Sequence, residues 1–384
     1  MEVAQIYNLM NSVTREILGE NAIVNEDLSN VVDIGTEIIN ANAVDNYVRS
    51  LVNHIGKVIF VNRPYSGSAP SVLMDGWEYG SILEKILAEL PEATENESWE
   101  LTDGASYDPN VFYKPEVSAK FFNKRVTFEI PISFTEKQVK ESFSSAVQLN
   151  GFLSMLYNSV DKSMTVKVDS LIMRTIINLI GETIYADYGA TLLSSKSGIK
   201  AVNLLYLYNQ RYGTSLTASN ALTTPEFIRF ASFEMGVMAS RLSKISKLFN
   251  IGGTDKFTPK DMLHVIMLAD FKAAADIFLQ SATFHDEFTR LPESETVPYW
   301  QGSGTGYGFN DVTGIKVTTS GGHSIDMTGI LGVMFDRDAL GVTNLDRRVT
   351  TNYNPKAEFF TNWYKFDSGY FNDTNENFVV FFMA

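Results

Sequence analysis

The residues with the best claim to chemistry are Asp336, Arg337 and Asp338. Two carboxylates two positions apart can hold a divalent cation. Arg337 between them favours the plainer reading, a salt-bridged turn. The glycine run GSGTGYG at 302–308 invites comparison with a dinucleotide-binding loop. That loop needs Gly-x-Gly-x-x-Gly after a strand and at a helix start. From Gly302 the sixth position is Tyr307, from Gly304 it is Phe309, and from Gly306 it is Asp311. No helix pattern follows and no Gly-Lys-Ser/Thr is present, so the run reads as a surface loop.

The four histidines, His54, His264, His285 and His323, are far apart and form no His-Glu-x-x-His pair. His285-Asp286-Glu287 reads as a solvated acidic turn. No serine sits in a Gly-x-Ser-x-Gly elbow. Asn96-Glu97-Ser98 and Asn372-Asp373-Thr374 match a glycosylation pattern, but no secretion signal accompanies them. Ten aromatics crowd 359–382, with Asn, Asp and Thr as their usual neighbours rather than Lys or Arg. They read as core or interface packing, not as a base-stacking platform. The sequence therefore assigns no catalytic, cofactor-binding or metal-binding residue.

The composition narrows the classes further. The chain has 384 residues, 45% of them hydrophobic and 20% charged, so a sizeable core is expected. A formal charge of −14 disfavours tight general binding to nucleic acid. The absence of cysteine removes thiol nucleophiles, thiolate metal sites and disulfides together. The start MEVAQIYNLM has no signal pattern, and no run reaches the roughly 20 apolar residues of a membrane span. The expectation is a soluble protein of the cytosol.

The elements that carry these residues look built for assembly. Residues 1–18 and 42–56 have helical periodicity, KVIFV at 57–61 reads as a strand, and 62–70 is turn-rich. Residues 80–135 hold two extended-looking ends around an acidic middle, which reads as a projecting β-ribbon. Its last part, RVTFEIPISF, places Val126, Phe128, Ile130, Ile132 and Phe134 on one face. That face needs a partner, either the chain's own body or a neighbouring subunit, and these five are the candidate interface residues. Thr135 and Gln138 then make the spacing of a capping box, with Phe134 and Val139 placed as a hydrophobic staple.

From Val147 to Ile184 the period is helical, either as one rod or with a break near Ser159–Ser163. Thr224 and Pro225 mark the start of another helix, 261–280 reads as strand then helix, and β-prone pieces follow residue 312. The apolar end NFVVFFMA is expected inside a sheet.

This order of elements resembles the major capsid proteins of tailed bacteriophages, the Hong Kong ninety-seven type fold, and within them those of short-tailed, podovirus-like phages. YGSILEKILAELPEATENESW and AKFFNKRVTFEIPISFTEKQVKESF look like the arms of the family's extended loop. DKSMTVKVDSLIMRTIINLIGETI looks like its spine helix, and TPKDMLHVIMLADFKAAADIFLQSATF like a strand-helix unit of its axial domain.

The resemblance implies an α+β fold divided into six parts. These are an N-terminal arm with helices at 1–56, a first peripheral segment at 57–79, an extended loop at 80–135 and a peripheral domain with the spine helix at 136–190. An axial domain at 191–345 and C-terminal return strands at 346–384 complete it.

It further implies a self-assembling structural subunit of hexamers and pentamers in an icosahedral shell, with no catalysis and no cofactor. The partners implied are other copies of the chain, a separate scaffolding protein, a portal protein, decoration or head-fibre proteins, and double-stranded DNA contacted non-specifically. No membrane is involved, and assembly is expected in the host cytoplasm. Two other readings stand beside it: a cellular nanocompartment shell, and an α/β enzyme using Asp336 and Asp338.

Overall fold

A single helix, α1 (Ala146–Tyr188), runs for 43 residues through the middle of the protein. At 1.5 Å per residue it is about 64 Å long. It is continuous through 159–163, so the alternative of a break there does not apply. The computed structural model describes residues 11, 13–16, 72–74, 83–88, 117–135, 137–138, 146–189, 196–280, 293–300 and 313–384, with isolated positions between 91 and 114. The expected helix at 42–56, the strand at 57–61, the glycine run at 302–308, His54 and His285–Glu287 lie outside the described residues, as does most of 1–18.

The C-terminal half of α1 is apolar nearly all round, because protein covers it on more than one side. Leu171, Ile172, Ile176, Ile180 and Ile184 are buried, and so are Met173 and Ile177 on the flank. The two threonines inside this stretch are satisfied locally: Thr175 and Thr183 donate to the carbonyls of Leu171 and Leu179, each at 2.8 Å. Gly189, in the left-handed conformation with φ 66°, ends the helix by donating its N–H to Tyr185 O at 2.7 Å.

One four-stranded sheet packs on this helix. Its order is β1 (Leu73–Met74), β11 (Leu340–Asn354), β12 (Phe359–Asn372), β4 (Arg125–Thr135). Strand β4 pairs antiparallel with β12 from Arg125↔Gly369 to Thr135↔Phe359. The expectation that 125–134 is an arm of the projecting ribbon is therefore corrected: this strand belongs to a body sheet along its whole length. The physical reason is its apolar face. Phe128 opposes Phe366 with ring centroids 5.0 Å apart, and Phe134 opposes Phe360 at 5.8 Å. Such cross-strand aromatic pairs stabilise a sheet beyond the area they bury.

The five-stranded sheet has the order β5 (Ala201–Asn203), β13 (Phe378–Phe382), β10 (Ile330–Asp336), β6 (Leu263–Leu268), β7 (Glu295–Val297). Every residue of β10 and β13 is buried. Strands covered on both faces lose the alternating pattern and read as continuous apolar runs. The helices α2 (Leu204–Tyr212), α3 (Ala218–Ala221), α4 (Pro225–Leu242) and α5 (Ala269–Gln280) accompany this sheet. Pro225 holds the first position of α4, but Thr224 makes no side-chain cap; its hydroxyl donates to Asn220 O at 2.9 Å instead.

Two hairpins complete the described fold. One is β2 (Leu83–Ala88) with β3 (Val117–Phe122), the other β8 (Ile315–Thr318) with β9 (Ser324–Met327). The second lies on α1, where Glu182 Oε1 accepts from Gly321 N at 2.7 Å and Tyr185 stacks on His323.

The chain passes between the two large sheets twice near its end. Residues 337–339 lead from β10 to β11, and residues 373–377 lead from β12 to β13. The expected division at 345/346 falls within β11, at a register shift between Asn344 and Arg347. The region expected as return strands is thus shared between both sheets.

Candidate assembly surface

Six residues of β2 face six of β3 in an antiparallel ladder, Leu83↔Phe122 through Ala88↔Val117. Alternation gives the ribbon two faces. Lys85, Lys120 and Phe122 point to the body. Phe122 is buried and lies 5.2 Å from the Phe371 ring. Ile86, Val117 and Phe121 point the other way and are 67%, 61% and 61% exposed. Three large apolar side chains on one short ribbon are more than scattered surface hydrophobics, which makes this face a candidate contact surface.

The five residues expected at an interface sit elsewhere. Phe128, Ile130 and Ile132 are partly buried and pack on the chain's own core, Phe134 is buried within it, and Val126 is partly covered. Of the two partners weighed for this face, the body is the one it meets. Beyond it, Thr135 N–H donates to Gln138 Oε1 at 2.9 Å and Gln138 N–H donates to Thr135 Oγ1 at 3.3 Å. This reciprocal pair is the geometry of a capping box.

Asp336 and Asp338 do not form a cation site. Asp336 ends β10, 4% exposed, and its Oδ1 accepts the N–H of Asp338 at 3.0 Å. Burial pushes its pKa up. Among the described residues no group of three His, Asp or Glu side chains is placed to hold a metal. A cavity of about 450 Å³ between α2 and α4 is lined by Tyr208, Arg211, Arg229 and Phe230. Another, of about 700 Å³, lies beside Lys260, His264 and Glu295. Neither includes Asp336 or Asp338. His264 stacks on Phe335 at 5.8 Å, and burial pushes its pKa down.

Sequence reasoning did not find the charges under the hairpin. Asp373 and Glu376 are buried in the segment between β12 and β13. They meet Lys85 and Lys120 from the ribbon, more than 250 positions away in the chain. Asp373 and Glu376 lie in the polar run Asn372–Asn377, which reads as a solvated turn, so nothing local marks them as buried or names their partners.

The architecture is an α+β phage capsid fold. The chain is similar to a chain in the structure of the head fiber and inner core protein gp22 of native bacteriophage P68, with 9% identity and a TM-score of 0.52, covering 85% of this chain and 87% of that one. It is also similar to a chain of the capsid of Staphylococcus phage Andhra, with 11% identity and a TM-score of 0.48, covering 84% and 86%. A comparison with curated proteins found no match.

The family model for the Phi29-like phage major capsid protein matches residues 10–382, nearly the whole chain. The chain belongs to that family. It is a structural subunit that self-assembles into the capsid of the virion, and it is not an enzyme. The enzyme and nanocompartment readings are set aside. No helix among the described residues is long and apolar enough to cross a membrane.

Proposed function

We propose that the outward face of the β2–β3 hairpin is the surface on which one subunit meets the next, in hexamers and pentamers of an icosahedral shell. The observation that carries this reading is the exposure of Ile86, Val117 and Phe121 on a ribbon whose other face is anchored to the body. A shell subunit has obligate interfaces, typically above about 2,000 Å², and a patch left open in the monomer is what such an interface covers. In this reading α1 with β4, β11 and β12 forms the peripheral domain, and the five-stranded sheet with α2–α5 forms the axial domain.

The remaining partners follow from the same reading. A separate scaffolding protein guides curvature, a portal protein occupies one vertex, and decoration or head-fibre proteins bind outside. Double-stranded DNA lies against the inner surface without specific contacts, in keeping with a formal charge of −14. Assembly takes place in the host cytoplasm.

The test is co-expression with neighbouring phage genes, read by light scattering and negative-stain microscopy. Wild-type protein is expected to give rings, tubes or shells. Phe121→Asp, alone or with Ile86→Asp, is expected to leave a folded subunit with none of these. Shells of normal size and yield from the double variant would overturn the assignment of this face.

A further inference from the structure

The hairpin's inner face holds a charge cluster that the contact surface itself does not require. Lys85 and Lys120 are directly opposed on the two strands, so two ammonium groups share one face. Unaccompanied, they would repel. Asp373 stands between them with its side chain fully buried. Lys120 Nζ donates to Oδ1 at 2.9 Å, and Asn375 N–H donates to the same oxygen at 3.0 Å. Lys85 Nζ lies 3.0 Å from Oδ2, in ion-pair range but off hydrogen-bond geometry. Lys85 also pairs with Glu376, which takes Lys256 at 2.8 Å, and it donates to Asp338 O at 3.3 Å. Asp336 is a further carboxyl close to Glu376.

The place of this cluster gives it meaning. Asp338 lies on the crossover from β10 to β11. Asp373 and Glu376 lie on the crossover from β12 to β13. Both segments run between the two large sheets, and they are joined: Asp373 N–H donates to Ala339 O at 2.7 Å, and Asp336 N–H donates to Asn377 O at 3.0 Å. Through its lysines the hairpin grips both crossovers at once. Apolar contacts tolerate sliding, whereas moving a buried carboxylate off its partners strands a charge away from water.

We propose that this cluster is a latch, with Asp373 as the positioning residue, which fixes the hairpin's direction to the junction of the two sheets. A rotation of one sheet against the other then swings the hairpin with it. The latch thereby sets where Ile86, Val117 and Phe121 are offered to a neighbour; that consequence rests on the assembly reading above, while the latch itself does not.

The experiment is hydrogen–deuterium exchange by mass spectrometry on the full-length, unassembled subunit. Asp373→Asn is expected to raise exchange in 83–88 and 117–122 by about tenfold, with β13 and the C-terminal half of α1 unchanged. Lys120→Met, which leaves Asp373 with Lys85 and the Asn375 N–H, is expected to raise exchange in the same segments by a smaller factor. If Asp373→Asn fails to fold, Lys120→Met decides alone. Unchanged hairpin exchange overturns the latch. So does a rise spread evenly over β10, β13 and α1, because the cluster would then stabilise only the core. Neither result touches the assembly reading, which Phe121→Asp tests separately.

Discussion

Strands β3 and β4 follow one another with two residues between them, and both carry apolar side chains on one face, yet those faces have opposite fates. In β4 the face carries Phe128, Ile130, Ile132 and Phe134 and meets the protein's own core. In β3 Val117 and Phe121 are turned to solvent, while Phe122 is buried and Lys120, opposite Lys85 of β2, is turned inward to the buried Asp373. Hydrophobicity alone does not say which face is inside. A buried partner does: β4 has β12 and α1 beside it, whereas the inner side of the hairpin meets carboxylates that demand cations. The side of the ribbon with Ile86, Val117 and Phe121 stays exposed, and it is the face proposed above to meet another subunit.

The largest expected effect tests this difference directly. Phe121→Asp should abolish assembly while leaving the thermal midpoint of the isolated subunit within a degree or two. Phe128→Asp should do the reverse in kind, lowering the stability of the isolated subunit by about 3 kcal/mol, because it places a charge against the core and removes the Phe366 contact. Denaturant melts of both variants give the comparison; equal melts would erase it. Phe366→Ala approaches the same pair from the other strand. This side chain is 1% exposed, and its loss should cost about 3–5 kcal/mol in the same melts.

A smaller effect belongs to the end of β4. Thr135→Ala removes the hydroxyl that accepts Gln138 N–H and should cost about 1 kcal/mol, again by denaturant melt.

The smallest effect expected is that of pH. Burial pushes the Asp373 carboxyl up, but Lys120 and Lys85 outweigh it and hold its pKa below the ordinary value. Its contribution is present above about pH 3.9 and is lost as pH falls through the depressed value. Burial works against the Lys85 ammonium, but Glu376 and Asp373 hold its pKa above the ordinary one. Its contribution is present below about pH 10.4 and is lost as pH rises through the raised value. Hairpin exchange, corrected for the intrinsic pH dependence of amide exchange, should stay flat between about pH 5 and pH 9. A step inside that window that persists in Asp336→Asn, which removes the neighbouring carboxyl whose pKa burial raises, would break the assignment of both charges.

Much of the fold was legible because it is local. The alternation of 125–134 marks a strand, the long helical period around 147–184 marks α1, and the apolar tail 378–382 is buried in a sheet. The spacing of Thr135 and Gln138 is likewise a short-range feature, and two hydrogen bonds join those residues. Partners were not legible. A period tells which side chains share a face, not which strand lies alongside, so β4 was expected to pair with the ribbon instead of with β12. Strand β12 itself was hidden among its aromatics. Asn362 points inward between Phe360 and Tyr364, and Trp363, Lys365 and Asp367 on the other face are half-covered, which blurs the contrast on which a strand pattern depends. The cluster at Asp373 was out of reach for the same reason, since Lys85 and Asp373 come together only through the tertiary fold.

Hydroxyl-radical footprinting of Phe121 and Phe128, in the unassembled subunit and in assembled shells, tests the central claim most directly. Phe121 should be readily oxidised in the subunit and protected in the shell, with Phe128 shielded in both. Equal oxidation of Phe121 in the two states would contradict the account, because the hairpin's apolar face would then be no part of the contact between subunits.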